Sequence, residues 1–355
     1  VNAASQSAFI HGAAISIGWA DARASLSDMI FDAVTRALHD SRVPFDKIES
    51  VVLSAHDIVD GRSLSSMVTA PAAGAYLRDE IRLAEDGAAA LSLASARIEA
   101  GEFEYSIVAA WGRASEGDYA KTSRFAFDPF SEQPFNLDEF DLSAFRLSGW
   151  MARHGRQEAA RQAAAAARRA RASANPRSFA SGVRPSLNAP LLAGEAPLFA
   201  DVAVAAIIGR PESTVRIAGT GHSVESGRLG DRDLVQMRAL RQAVDRTQAS
   251  GSIDVYQLSG ATLPDEAIGI EALGLAAPGE GFAAYAIRPE INPSGGGESG
   301  WCFPTSGLLN VVEAYLQLKG AAGAAQLPGR LTRALATGVS PMGGQAAHAV
   351  ILEAA

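Results

Sequence analysis

The chain has one cysteine, Cys302, among its 355 residues. A lone thiol excludes an internal disulfide and a cysteine-rich zinc cluster, and makes a reducing cytoplasm the expected compartment. Long apolar runs are also missing: no stretch reaches the roughly 18 residues that a membrane span needs. The first residues show no basic segment followed by an apolar one, so neither export nor anchoring is expected. Positive charge is short, with 31 Lys and Arg against 39 Asp and Glu and a net charge of −8. A nucleic-acid footprint needs a basic face, so nucleic acid is not an expected partner. The histidines are few and scattered. His11, His39, His154 and His348 stand singly without metal-ligand spacing, and no metal is expected.

What is present is the composition of a globular protein, 48% hydrophobic and 20% charged, long enough for two core-bearing units of roughly 150 to 200 residues. Strand-length apolar runs alternate with helical patterns, which predicts an α/β layered architecture. Ile10 to Trp19 and Ser50 to Ala55 read as strands around a helix from Leu26 to Asp40, in which Met29, Ile30, Ala33, Val34 and Leu38 recur at helical spacing. An Ala-rich helix then leads to a nearly all-apolar strand from Glu104 to Gly112, placed centrally for that reason. A second cycle follows: strands at Asp201 to Gly209 and Val215 to Gly221, an amphipathic helix from Asp231 to Thr247, and a strand from Ile253 to Leu258. IESVVLSA, from Ile48, and IDVYQLSG, from Ile253, match in residue type at nearly every position. This internal repeat predicts two similar halves, residues 1–210 and 211–355, with an irregular insert at about 116–197 in the first. That insert holds Phe125, Phe127, Phe130, Phe135, Phe140 and Phe145, rings that either line a pocket or seam or pin the loop to the body. Gln157 to Ala172 is a strong helix former.

Several ordered landmarks resemble the thiolase superfamily, especially the sterol-carrier-protein branch of acetyl-CoA acetyltransferase-like proteins. RLAEDGAAALSLAS, from Arg82, resembles the turn and helix that a Cys-x-x-Gly motif opens. FRLSGWMARHG and the alanine-arginine helix resemble the loop domain that helps hold coenzyme A. IDVYQLSGATLPDEAIGIEALGLAAPGEG resembles the stretch with a His-Asp-Cys-Phe motif. INPSGGGESG with TSG resembles the segment leading into Gly-His-Pro, and SPMGGQAAHAVILE the Cys-x-Gly-Gly loop and last strand. The resemblance implies a layered αβαβα fold of two duplicated halves with a helical loop domain, and association as a homodimer or heteromer.

Matched residue by residue, the family's chemistry is replaced. Ala84 stands at the nucleophile and Leu258 at the His-Asp-Cys-Phe histidine. The Gly-His-Pro histidine falls on Trp301 or on Cys302, according to the register chosen for 296–307. Pro341 stands at the acid/base cysteine. Alanine and proline can neither take an acyl group nor abstract a proton. The resemblance therefore implies a protein that binds acyl-CoA thioesters without cysteine chemistry, as a subunit of an acyl-CoA-processing complex, with a small zinc-ribbon and OB-fold acyl-CoA-binding protein as the expected partner and no tightly held cofactor. Two alternatives stay open: a retro-aldol lyase acting on a β-hydroxyacyl-CoA, and a non-catalytic partner of an active thiolase.

For replacement chemistry, His56 follows a strand end and neighbours Asp57 and Asp60, which suits either an oriented imidazole or a polar turn. Asp86, with Glu85, stands where the nucleophile helix begins, as a base or as a cap. Cys302 is either a nucleophile or a core thiol. His222 with Glu225 reads as structural, and Tyr256 and Tyr76 sit in no specific motif. Gly296, Ser306, Gly343 and Gly344 are the expected substrate-contacting positions, since glycine loops let amides approach a thioester oxygen. Arg168, Arg169 and Arg171, in a basic run with Arg161, are matched to the coenzyme A phosphates, and a solvated helix face explains them equally well.

Overall fold

The computed structural model describes residues 7–21, 23–57, 65–248 and 250–355. Among the described residues nine strands form one mixed sheet: β1 (Ala8–Gly18), β2 (Ser50–Ser54), β3 (Asp79–Leu83), β4 (Tyr105–Arg113), β5 (Asp201–Gly209), β6 (Val215–Val224), β7 (Val255–Gln257), β8 (Arg333–Val339) and β9 (Ala346–Ala354). Their order is β3-β2-β4-β5-β1-β6-β9-β8-β7. The helices are α1 (Leu26–Ser41), α2 (Ser65–Thr69), α3 (Gly87–Glu99), α4 (Tyr119–Ser123), α5 (Glu139–His154), α6 (Glu158–Ala174), α7 (Arg238–Arg246), α8 (Leu263–Ala272), α9 (Gly281–Ile287), α10 (Ser306–Leu318) and α11 (Pro341–Gly344).

β1 and β6 meet in the sheet through a short antiparallel ladder, in which Ala8, Phe9 and Ile10 pair with Ile217, Arg216 and Val215. Three buried clusters define the layers. α1 closes one outer face, packing Met29, Ile30, Ala33 and Val34 on β2, β4 and β5. α3 and α10 lie between the halves, where Leu91, Ala94, Val311 and Val312 meet residues of β1, β4, β8 and β9. α7 and α8 close the other outer face with Leu240, Ala243, Ile268 and Ile270. This is the layered α/β fold that the sequence predicts.

Local signals explain most boundaries. Ser25 and Asp28 form a capping box at α1, and Arg42 ends it with φ 58°. β4 pairs with both β2 and β5, as its apolar run predicts. Three expectations are corrected. The helix expected over Asp231 to Thr247 is helical only from Arg238, because the Asp233 carboxylate accepts the Val235 amide and Met237 takes φ 42°. The last strand of the second cycle stops at Gln257, because the Leu258 amide donates to Asn292 Oδ1 at 2.6 Å. The insert is less irregular than its composition suggests: α5 fills Glu139–His154, started by an Asp138–Asp141 capping box.

A candidate acyl site with its donors internally engaged

The turn that carries Ala84 follows from edge strand β3. Ala84 is exposed and Glu85 half-buried, while Asp86 is fully buried as the N-cap of α3. The Asp86 carboxylate accepts the Ala88 amide at 2.9 Å, and the Gly307 amide and Ser306 hydroxyl of α10 at 2.9 Å each. One side chain thus satisfies the starts of two helices that point at each other. Burial pushes its carboxyl up to about 7, against the pull of those amides and that hydroxyl. The fit excludes any larger neighbour: a Cβ at Gly307 or Gly338 would stand 1.7 or 2.0 Å from Asp86 Oδ1. Asp86 acts here as a cap, and Ser306 is its partner, with a further contact to Ser259 Oγ at 3.1 Å.

Around Ala84, the ends of β2, β3 and β8 bring polar groups together. The Ser54 hydroxyl donates to the Glu85 carbonyl at 2.5 Å, and the Ser340 hydroxyl, at the end of β8, donates to the Glu85 carboxylate. Arg82 pairs with Asp57. His56 lies in this cluster with its ring 6.3 Å from that of Phe303. Its Nδ1 is buried without a hydrogen-bond partner. Burial pulls the imidazole below its ordinary value, so it is neutral at pH 7 and able to accept a proton. Asp60 lies outside the described residues.

Behind the turn, Leu258, Ser259, Trp301 and Ser306 border a cavity of only about 10 Å³, the least that admits one water. Trp301 is buried with its ring 4.9 Å from Tyr119 and 5.7 Å from Phe199, and Phe140 and Phe303 complete the cluster. Cys302 faces elsewhere, buried with Ala200 and Val202; its thiol lies where a Cβ on Gly112 would be 2.5 Å away. Cys302 does not line the space by Ser259, whereas Trp301 does, and its buried Nε1 has no hydrogen-bond partner among the described residues.

The loop after β8 is clamped from α5. Gly343, with φ 64°, donates its amide to both Glu139 carboxylate oxygens at 3.0 and 3.1 Å, and its carbonyl accepts from Arg146. Arg146 also pairs with Asp265, whose other oxygen takes the Ser143 hydroxyl at 2.7 Å. Gly344 follows with φ 70°, and Gly296, with φ 53°, lies where a Cβ would stand 2.6 Å from the Glu266 carboxylate. Sequence reasoning missed Glu139 and Arg146. The signal lay in the capping-box aspartates and in Phe140, Ala144, Leu147 and Met151 at helical spacing.

The arginine run divides. Arg168 is fully buried on Glu266 at 2.6 Å, in a network where Glu266 also accepts from Tyr285 and Asn292. Arg161 is buried on Glu195. Arg171 donates to the carbonyls of Ile291, Tyr285 and Arg288. Arg169 alone of the trio is exposed, beside a cavity of about 190 Å³ that Arg184 and Ser173 also line. The phenylalanines divide too: Phe127 and Phe140 are buried, whereas Phe125, Phe130, Phe135 and Phe145 are exposed. His222 stacks on His348 with ring centroids 4.4 Å apart. No group of three or more potential metal ligands occurs among the described residues, and no helix among them is long and apolar enough to cross a membrane.

Comparison with known proteins agrees with this architecture. Residues 221–354 match the family described as thiolase C-terminal domain-like. The structure is similar to that of the Ltp2-ChsH2(DUF35) aldolase, with a TM-score of 0.78, 16% identity and 98% of each chain covered. It is also similar to human mitochondrial 3-ketoacyl-CoA thiolase (TM-score 0.72, 16% identity, 98% of this chain and 99% of that one). A third similar structure is the acetyl-CoA acetyltransferase from Syntrophomonas wolfei (TM-score 0.69, 16% identity, 99% and 100% covered). No curated protein matches in sequence.

Proposed function

From the thiolase-like fold of the chain and the match of residues 221–354 to a thiolase C-terminal domain-like family, we propose that it is a thiolase-superfamily subunit of an acyl-CoA-processing complex that binds acyl thioesters without covalent acyl transfer. The observation that carries the reading is the turn at Ala84, which the resemblance matches to the nucleophile position: the buried carboxylate of Asp86 beside it is used by two helix starts. The small cavity by Ser259 and the Gly343 amide held by Glu139 support it further. The thioester then meets the protein at the mouth formed by Ala84, Glu85, His56 and Ser340, with Arg169 as the phosphate contact. A soluble cytoplasmic setting, two duplicated halves and pairing through the β3 edge belong to the same proposal. The proposed partner is a small zinc-ribbon and OB-fold protein, in keeping with the solved aldolase complex between Ltp2 and ChsH2(DUF35).

The test is calorimetric titration of the purified chain with coenzyme A and acetyl-CoA. Saturable micromolar binding, weakened by Arg169→Ala, is expected; no binding at millimolar ligand by the chain or by its complex with the partner would leave the non-catalytic structural reading. One observation favours the lyase alternative, the His56 imidazole, lowered by burial and with its buried Nδ1 unpartnered, in the electrostatic reach of Glu85. Cleavage of a β-hydroxyacyl-CoA that His56→Gln abolishes would establish it, and unchanged cleavage in that variant would remove His56 from the mechanism.

A further inference from the structure

We infer that the outer side of α1 carries a binding site for a small monocarboxylate with a compact apolar body. The site shares no residue with the mouth at Ala84 and does not rest on the acyl-thioester reading: its cation, Arg78, precedes β3, whereas Ala84 follows the other end of that strand.

α1 buries Met29, Ile30, Ala33 and Val34 on the sheet, so the opposite face of the helix should be polar. Instead Phe31, Thr35 and Leu38 follow one another at helical spacing as a second stripe, with Phe31 61% exposed. Together with Phe45 and Tyr76 they line a cavity of about 380 Å³, within the roughly 300–1,000 Å³ of small-molecule sites. The Phe45 wall is held in place. Its ring lies where a Cβ on Gly74, at φ 83°, would be 2.9 Å away, and the Arg78 guanidinium sits 3.8 Å from the ring centroid.

Among the described residues Arg78 is the one charged group lining this cavity. Its Nε donates to the Ile48 carbonyl at 2.9 Å, its Nη1 to the carbonyls of Gly74 and Tyr76 at 3.3 and 3.2 Å, and its Nη2 to the Phe45 carbonyl at 3.0 Å. These four carbonyls orient the guanidinium but bring no negative charge, and they leave one Nη2 N–H of its five donors. The neighbouring Asp79 carboxylate is engaged by Arg97 at 2.7 Å. A half-buried, pre-oriented cation therefore borders an apolar cavity, with carbonyls alone as its hydrogen-bond acceptors among the described residues. A ligand carboxylate supplies the absent charge through a charge-assisted hydrogen bond, and the Thr35 hydroxyl is a further donor in the same lining. The apolar body of the ligand covers the exposed rings. An ammonium ligand would meet like charge, and a neutral one would leave the guanidinium uncompensated.

The experiment is calorimetric titration of the full chain with 4-phenylbutyrate, with 4-phenylbutanamide as the neutral isostere. Saturable submillimolar binding of the acid is expected, with the amide at least about tenfold weaker. Thr35→Trp fills the cavity from an exposed helix position and is expected to weaken the acid at least about tenfold. Arg78→Gln is expected to abolish the preference for acid over amide; if that variant does not fold, Thr35→Trp decides the matter. Arg169→Ala is expected to bind the acid as the wild type does. Absence of binding to the wild type, equal affinity for acid and amide, unchanged affinity in Thr35→Trp, or loss of binding in Arg169→Ala would each overturn the assignment.

Discussion

Asp86, at the start of α3, and His348, on β9, are both buried, and burial makes them tilt stability with pH in opposite directions. Asp86 contacts Gly338 of β8, and Gly338 pairs across the ladder with His348 of β9. Burial raises the Asp86 carboxyl to about 7, so its contribution is full below about pH 4 and is lost as pH rises through 7. Burial, helped by His222, lowers the His348 imidazole to about 3, so its contribution is full above about pH 6.5 and is lost as pH falls toward 3. Between about pH 4 and 6.5 the two slopes oppose each other, each up to about 1.4 kcal/mol per pH unit. His348→Gln is expected to leave stability falling as pH rises across that window, and Asp86→Asn to leave it rising. Urea unfolding of each variant at several pH values measures the slopes; identical slopes in the two variants would contradict the assignment. That Ala84, Leu258 and Pro341 each lack a titratable group was legible in the sequence. What surrounds the Ala84 turn was not legible. Asp86 reads in sequence as an ordinary cap, and nothing in the spacing shows that a second helix start, at Gly307, shares it.

Among the elements, α5 does most to fix the site, since it holds the loop after β8 and the start of α8 from one face. Arg146 is 2% exposed and its pair with Asp265 lies in the same buried network as Ser143. Removing one partner of a buried pair leaves the other charge uncompensated, at a cost of about 3–5 kcal/mol. Arg146→Met is therefore expected to lower unfolding free energy by that amount in denaturant titration, and a loss under about 1 kcal/mol would show that the clamp is not structural. Elements with strong apolar periodicity, α1, β4, β5 and α6, were legible close to their ends. β3 was not, because an edge strand reading Asp-Glu-Ile-Arg-Leu is half-exposed and lacks a buried face to mark it. α5 was obscured by the outward rings among its inward ones, Phe145 above all, which break the eye's reading of the apolar stripe.

At the scale of the whole molecule, a buried helix layer packs on one continuous sheet. The alternation of strands and helices was enough to anticipate a layered α/β fold. The position of the arginines was not, since burial of Arg168 on Glu266 joins residues 98 apart in sequence, a contact that no local pattern records. The central proposal is that the chain lacks covalent acyl chemistry for more than one reason: the Ala84 turn, the small cavity by Ser259 and the clamped Gly343 loop. Restoring the thiol alone then restores nothing. The most direct measurement is turnover of acetoacetyl-CoA with coenzyme A by the Ala84→Cys variant, followed by acetyl-CoA release and by intact mass for a cysteine-bound acyl group. No turnover and no enzyme-bound acyl group are predicted; acetyl-CoA formation above the wild-type background would contradict the account.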